Sequence, residues 1–176
     1  VHRIQIGRTL RMALEIRNEG TAPFSFEEAL HTYLAVGDIR QVSVSGLEGT
    51  VYLDKMAGAA RAREGAGPIR FTAETDRVYL DTQAACTIDD PAGGRRLAVS
   101  KQGSGATVVW NPWIAKARAM PDFGDDEWTG MVCVETCNVN AHAVTLPPGG
   151  IHVMTAVVES DHRPPTPPGL QGDTHL

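Results

Sequence analysis

The sequence has no long apolar run. Nothing in it approaches the roughly 18 consecutive apolar residues of a membrane-spanning helix, so no membrane partner is expected. Its first residues, Val1-His2-Arg3-Ile4-Gln5-Ile6, have the form of neither a signal peptide nor an initiator start. They read as a chain entered in mid-strand, which predicts a fragment of a longer domain. Cysteine is sparse: three residues, Cys86, Cys133 and Cys137, an odd number that excludes a disulfide framework. Cys133 and Cys137 stand four apart, which on a strand shares a face but exceeds disulfide reach. No further ligands stand near them at zinc-finger spacing, so no metal is expected. Reduced thiols in a cytoplasmic protein are the expectation. Positive charge is also short. Sixteen Lys and Arg face 21 Asp and Glu, a net charge of −5, which excludes the cationic stripe of a nucleic-acid binder. There is no G-x-G-x-x-G after a strand, no P-loop, no G-x-S-x-G elbow and no H-E-x-x-H. No repeat of solenoid or propeller period is present.

What is present is a period of two. Leu10, Met12, Leu14 and Ile16 alternate with Arg11, Ala13, Glu15 and Arg17, a half-buried strand closed by the turn Asn18-Glu19-Gly20-Thr21-Ala22-Pro23. Further strands are predicted at 41–47, 69–74, 77–81, 95–101, 107–110, 131–137 and 151–159. Gly/Pro-rich turns such as Asp90-Pro91-Ala92-Gly93-Gly94 separate them. This spacing predicts an all-β antiparallel sandwich or barrel. Helix is scarce: two turns over Ala57–Glu64 and a short one over Ile114–Met120. A chain of 176 residues makes one core, predicted over 1–159. From Ser160 the proline-rich tail, 160–176, is predicted to leave the ladder and be disordered, because proline lacks the donor.

Four places can carry chemistry. On a strand, His31 and Tyr33 share one face while Leu30, Leu34 and Val36 share the other, so His31 looks onto water or a cleft. An ordinary exposed or hydrogen-bonded histidine fits the same pattern. Glu135 shares a strand face with Met131, Cys133 and Cys137, poor solvators that raise a carboxyl pKa toward neutrality and make it a general base. A glutamate at the solvent or paired with a lysine or arginine is the plain alternative. Trp110-Asn111-Pro112-Trp113 holds two of the three tryptophans, and an indole stacks on a sugar face while an asparagine donates and accepts. The same loop also serves to close the end of a core. Asp76 shares a face with Val78, opposite Arg77 and Tyr79, and is otherwise a turn aspartate. The acidic stretch Asp122–Glu127 lacks the ligand alternation of a calcium loop and reads as solvated.

Taken in order, Phe24-Ser25-Phe26-Glu27-Glu28-Ala29-Leu30-His31-Thr32-Tyr33, Glu74-Thr75-Asp76-Arg77-Val78-Tyr79, Val108-Val109-Trp110-Asn111-Pro112-Trp113 and Met131-Val132-Cys133-Val134-Glu135 resemble the D-hexose-6-phosphate mutarotases, the glucose-6-phosphate 1-epimerases related to galactose mutarotase. Asp38-Ile39, Val42–Leu47, Lys116 and Asp122-Phe123 extend the likeness, which runs from about Ile6 to Glu159. The resemblance implies an antiparallel β-supersandwich that interconverts the α and β anomers of a hexose 6-phosphate without metal or organic cofactor. It implies a catalytic His31 and Glu135, an Asp76 that holds a sugar hydroxyl, and Trp110 and Asn111 beside the cleft. It also implies that a third or more of the domain precedes this chain, with phosphate-gripping arginines. Expected geometry is a sugar-sized gap between His31 and Glu135, in a monomeric chain. The competing readings are a non-catalytic carbohydrate-binding module built on the tryptophan loop, and a partial chain without function of its own.

Overall fold

The computed structural model describes residues 1–162. In chain order its strands are β1 (His2–Ile6), β2 (Thr9–Arg17), β3 (Phe24–Phe26), β4 (Glu28–Leu30), β5 (Tyr33–Ala35), β6 (Ser43–Ser45), β7 (Val51–Asp54) and β8 (Ala60–Arg63). They continue with β9 (Ile69–Arg70), β10 (Thr75–Tyr79), β11 (Cys86–Asp90), β12 (Arg95–Gln102), β13 (Ala106–Asn111), β14 (Met131–Asn138), β15 (Val144–Leu146) and β16 (Ile151–His162). One sheet runs β1-β2-β16-β12-β11-β6-β9. The second runs β4-β14-β13-β10-β7-β8, with β5 also paired to β14, and β3 pairs β15 apart from both. Every pairing is antiparallel. The chain is therefore a mostly antiparallel β-sandwich, as the period-two pattern predicts.

The main core lies between the two sheets. Val44 and Ile88 of the first sheet meet Tyr79, Val109 and Val132 of the second, all essentially without solvent exposure. Full burial of such side chains is worth roughly 1.5–3 kcal/mol each. Alternation then sends the intervening residues of β13 and β14 to the other face of the second sheet. There Val78, Val108, Trp110, Met131 and Cys133 form a second apolar cluster. β13 and β14 are buried throughout, so both faces of this sheet are covered or recessed. That second face is where the site lies.

The structure departs from the sequence reading at several elements. Residues 57–64 do not form a two-turn helix. A short 3-10 turn over Lys55–Ala57 ends at Gly58, and Ala59 also has positive φ, which turns the chain back as β8. Ala62 then packs toward the core while Arg61 and Arg63 stay outside, a period of two that the alanine content disguised as helix. The strand predicted over 69–74 keeps only Ile69–Arg70, and the next begins earlier than predicted, at Thr75. The one over 41–47 shrinks to Ser43–Ser45. The short helix predicted at 114–120 is α1 (Trp113–Ala119). β16 continues past Glu159 to His162, where it pairs with Arg95 before the first proline of the tail. The remainder of the predicted tail lies outside the described residues. Among the described residues no helix is long and apolar enough to cross a membrane.

The turn between β12 and β13 depends on Gly103. Its φ is +69°, and a Cβ there would stand 2.2 Å from the Val153 carbonyl oxygen. The contact is with backbone of Val153 and Met154, so no side chain can move aside. Gly103→Ala is expected to lower stability by more than about 1 kcal/mol, read from the urea midpoint.

Candidate functional site

β14 carries the site. On one side it pairs β4 through Thr136 and Leu30, and β5 through Cys133 and Tyr33, with the same offset in both. The interval between them, His31-Thr32, therefore lies across from Glu135 and Val134 without slippage. Within it the Thr32 N–H donates to the Leu30 carbonyl at 2.9 Å, a three-residue turn that lifts His31 off the ladder. His31 thus stands between two strands rather than on one continuous strand. The faces assigned from sequence hold: Leu30, Leu34 and Val36 are buried, His31 and Tyr33 exposed.

On its other side β14 pairs β13, with Val108 opposite Glu135 and Trp110 opposite Cys133. β13 pairs β10, with Val78 opposite Val108 and Asp76 opposite Trp110. Two rows of side chains consequently cross the sheet on one face. One is His31, Glu135, Val108, Val78; the other is Tyr33, Cys133, Trp110, Asp76. Residues contributed by four separate strands meet over a cleft of about 330 Å³. Val78, Val108 and Trp110 form its floor, and Glu27, His31, Lys55, Asp76 and Glu135 supply its charges.

His31 Nε2 lies 3.2 Å from Glu135 Oε1; the histidine side chain is 50% exposed and the glutamate 6%. The predicted gap between them is absent. They are cross-strand neighbours, and such pairs touch. The open space lies beside the pair, over the apolar floor. The imidazole stacks on Tyr33 with centroids 5.0 Å apart and meets the edge of Trp110 at 5.6 Å. Its Nδ1 is 3.7 Å from Cys133 Sγ. Burial pushes the Glu135 carboxyl up to about 7; the Lys55 ammonium opposes this and the Asp76 carboxylate adds to it. Burial, reinforced by Glu135, also holds the Cys133 thiol well above the ordinary thiol range.

Asp76 lines the cleft, with Lys55 Nζ at 3.2 Å from its Oδ1. That oxygen is buried and lies outside hydrogen-bonding geometry with any group among the described residues. Trp110 also lines the cleft. Asn111 does not, because it is the next residue on β13 and points to the opposite face. It is fully buried, its Nδ2 donates to the Trp128 and Met131 carbonyls at 2.9 Å each, and its Oδ1 accepts from the Trp113 N–H. Trp113 likewise turns inward, against Trp128 at 4.4 Å. The tryptophan loop thus closes the core end, and only its first indole faces the cleft.

Sequence reasoning missed Lys55, Glu27 and Asn140. Lys55 follows Asp54, which pairs with Arg77, so it reaches Asp76 only once β7 and β10 are in register. The Asn140 N–H donates to the Glu27 carboxylate at the rim, joining segments 113 residues apart. Glu27 was visible as part of the Phe-Glu-Glu-Ala-Leu-His run but had no partner to single it out. The acidic stretch 122–127 is a solvated loop apart from partly buried Phe123. All three cysteines are free and buried.

His31, Cys133 and Glu135 place a nitrogen, a sulfur and an oxygen within 4.8 Å of one another, a donor set that zinc accepts. The thiol is held protonated, however, so a metal would first have to displace its proton. The arrangement as it stands links His31 to Glu135 by a 3.2 Å contact and to Cys133 by a hydrogen bond.

Two measurements test these placements. Asn111→Ala leaves two buried carbonyls and a partly buried N–H without their partner, and is expected to lower stability by about 2–4 kcal/mol in urea unfolding. Glu135 has a folded pKa raised from 4.5 to about 7. Its contribution to stability is therefore complete below about 4.5 and is lost as pH rises through about 7. Glu135→Gln removes that loss. The variant is expected to gain on the parent between about pH 5 and about pH 8, by on the order of 3 kcal/mol at most; parallel stability–pH curves would contradict a buried, raised carboxyl.

Comparison with known proteins shows the family. The sequence profile of the family described as aldose 1-epimerase matches residues 2–158. A Cenchrus ciliaris protein named, provisionally, as a glucose-6-phosphate 1-epimerase is 43% identical over 142 residues, covering 80% of this chain and 43% of its own. An Escherichia coli K12 protein of the same provisional name is 42% identical over 132 residues, covering 75% of this chain and 43% of its own. The crystal structure of a provisionally assigned mutarotase from Salmonella typhimurium superimposes with a TM-score of 0.83 at 31% identity, over 92% of this chain and 53% of that one. The chain spans about half the length of the relatives it matches. It belongs to the aldose 1-epimerase family.

Proposed function

We propose that this chain carries the proton-transfer site of a hexose-6-phosphate mutarotase, which interconverts the α and β anomers by opening and reclosing the pyranose ring. The observation that carries the reading is the contact of His31 with Glu135 at 3.2 Å over an apolar-floored cleft, with the carboxyl pushed up to about 7. Ring opening removes a proton from the C1 hydroxyl and delivers one to the ring oxygen. Both oxygens are bonded to the same carbon, so acid and base must address neighbouring atoms. Two side chains in contact suit this better than two separated by the width of a sugar.

In this mechanism the Glu135 carboxylate accepts the proton from the C1 hydroxyl while His31 Nε2 gives one to the ring oxygen. The C1–O5 bond breaks and C1 becomes an aldehyde. Rotation about C1–C2 presents the other carbonyl face. Reclosure returns the proton from Glu135 to the carbonyl oxygen and the ring-oxygen proton to His31. A carboxyl near 7 is poised to hold a proton in one half of the cycle and release it in the other. The buried Asp76 Oδ1 accepts from a sugar hydroxyl, and Trp110 offers its ring to the apolar face of the pyranose. Hexose 6-phosphate as substrate rests on the names of the relatives; the chain's own contribution toward a phosphate is Lys55, 52% exposed at the rim. We place the protein in the cytoplasm, where its three thiols stay reduced. The inward turn of Trp113 removes half of the platform that a binding module would use.

The test follows anomer exchange of freshly dissolved α-glucose 6-phosphate by NMR, with free glucose alongside. The full chain is expected to exceed the buffer rate. Glu135→Gln and His31→Asn each lower the rate by roughly 10²–10⁴-fold. The acid limb of the activity–pH profile is expected to report Glu135, which must give up its proton near pH 7 to act as the base. Exchange no faster than buffer, or Glu135→Gln as fast as the parent, overturns the reading.

A further inference from the structure

We propose that the Cys133 sulfur is the acceptor that keeps a proton on His31 Nδ1, leaving Nε2 as the nitrogen that exchanges protons in the cleft. Cys133 is thereby a positioning residue. The proposal rests on the reading of His31 as the acid of the site and adds to it the choice of tautomer.

The imidazole is held in two different ways. Its plane is set by Tyr33, stacked at 5.0 Å and 19°, and by Trp110, edge-on at 5.6 Å and 76°. Ring stacking leaves the tautomer open, because it does not distinguish one nitrogen from the other. The contacts at the two nitrogens do distinguish them. Nε2 faces Glu135 Oε1 at 3.2 Å, and Nδ1 faces Cys133 Sγ at 3.7 Å. Glu135 and Cys133 stand two apart on β14 and so share a face, one for each nitrogen. The thiol is fully buried and, among the described residues, makes this one side-chain hydrogen bond.

The chemistry of the acceptor matters. A carboxylate at this place would add a charge, stabilise the imidazolium and make Nε2 a weak acid. A thiol kept protonated by burial offers sulfur lone pairs without charge. It orients the ring and secures the Nδ1 proton while leaving the Nε2 proton free to move. Throughout the cycle Nδ1 stays protonated, and Nε2 alone alternates between N–H and lone pair. The opposite arrangement, with the thiol S–H donating to Nδ1, would fix the proton on Nε2 and deprive the cleft of its acceptor.

The experiment reads the tautomer directly, by imidazole 15N NMR of the full chain above the histidine titration. The parent protein is expected to show His31 as the Nδ1–H tautomer. Cys133→Ser, which retains a neutral acceptor, keeps it. Cys133→Ala moves His31 to Nε2–H and lowers kcat for anomer exchange by roughly 10-fold or more with KM unchanged. An Nε2–H signal in the parent overturns the proposal with no variant needed, so a misfolded alanine variant does not decide the matter. A folded Cys133→Ala with an unchanged His31 spectrum overturns it as well. The spectrum does not depend on turnover. If no exchange is seen while the tautomer follows residue 133, the mutarotase reading fails and the positioning role stands.

Discussion

The constraint on which the site depends is the pairing register of β14. Equal offsets to β4 and β5 bring His31 opposite Glu135, and the pairing with β13 puts Val108 on the carboxylate's other side. A slip of one residue would turn Glu135 into the core between the sheets and bring Val134 to the cleft. The core prevents that slip, since Val132 and Val134 are buried against the first sheet by the same alternation that turns Cys133 and Glu135 outward. Packing energy on one face thus fixes chemical geometry on the other.

The site is costly to the fold. A carboxylate with 6% exposure ionises at the expense of its hydration, which shows as the upward shift of Glu135. A buried Asp76 oxygen without a hydrogen bond adds to the cost. Both are tolerated because the second sheet is secured elsewhere. Asn111 ties β13 to the segment entering β14 through the Trp128 and Met131 carbonyls and to the start of α1 through the Trp113 N–H, and Glu64 accepts from both Tyr79 and Arg77 on the core face. The polar groups that are fully satisfied hold the sheet. Of the two buried side-chain oxygens left without a hydrogen bond among the described residues, Asp76 Oδ1 belongs to a residue lining the cleft and Glu28 Oε2 to one that does not.

The legible part of the fold was its alternation. Leu10, Met12, Leu14 and Ile16 announced β2, and similar runs announced β12, β13, β14 and β16 to within a few residues. Residues 57–64 misled because alanine and arginine favour helix locally, whereas positive φ at Gly58 and Ala59 and pairing with β7 decided for a strand. Trp110 and Asn111 illustrate the limit at the site. Adjacent residues of one motif resembled joint sugar contacts, yet neighbours on a strand face opposite ways, and Asn111 went to the interior.

By itself the sequence determined the all-β class, the faces on which His31, Glu135 and Asp76 lie, and the poorly solvating company of Glu135, because these follow from side-chain periods within single segments. Only the tertiary structure decided that His31 touches Glu135 rather than standing apart from it, that Lys55 reaches Asp76, and that Cys133 meets the second imidazole nitrogen. Those contacts join segments as many as 104 positions apart (His31 and Glu135), and their distances follow from strand register, which local propensity does not encode.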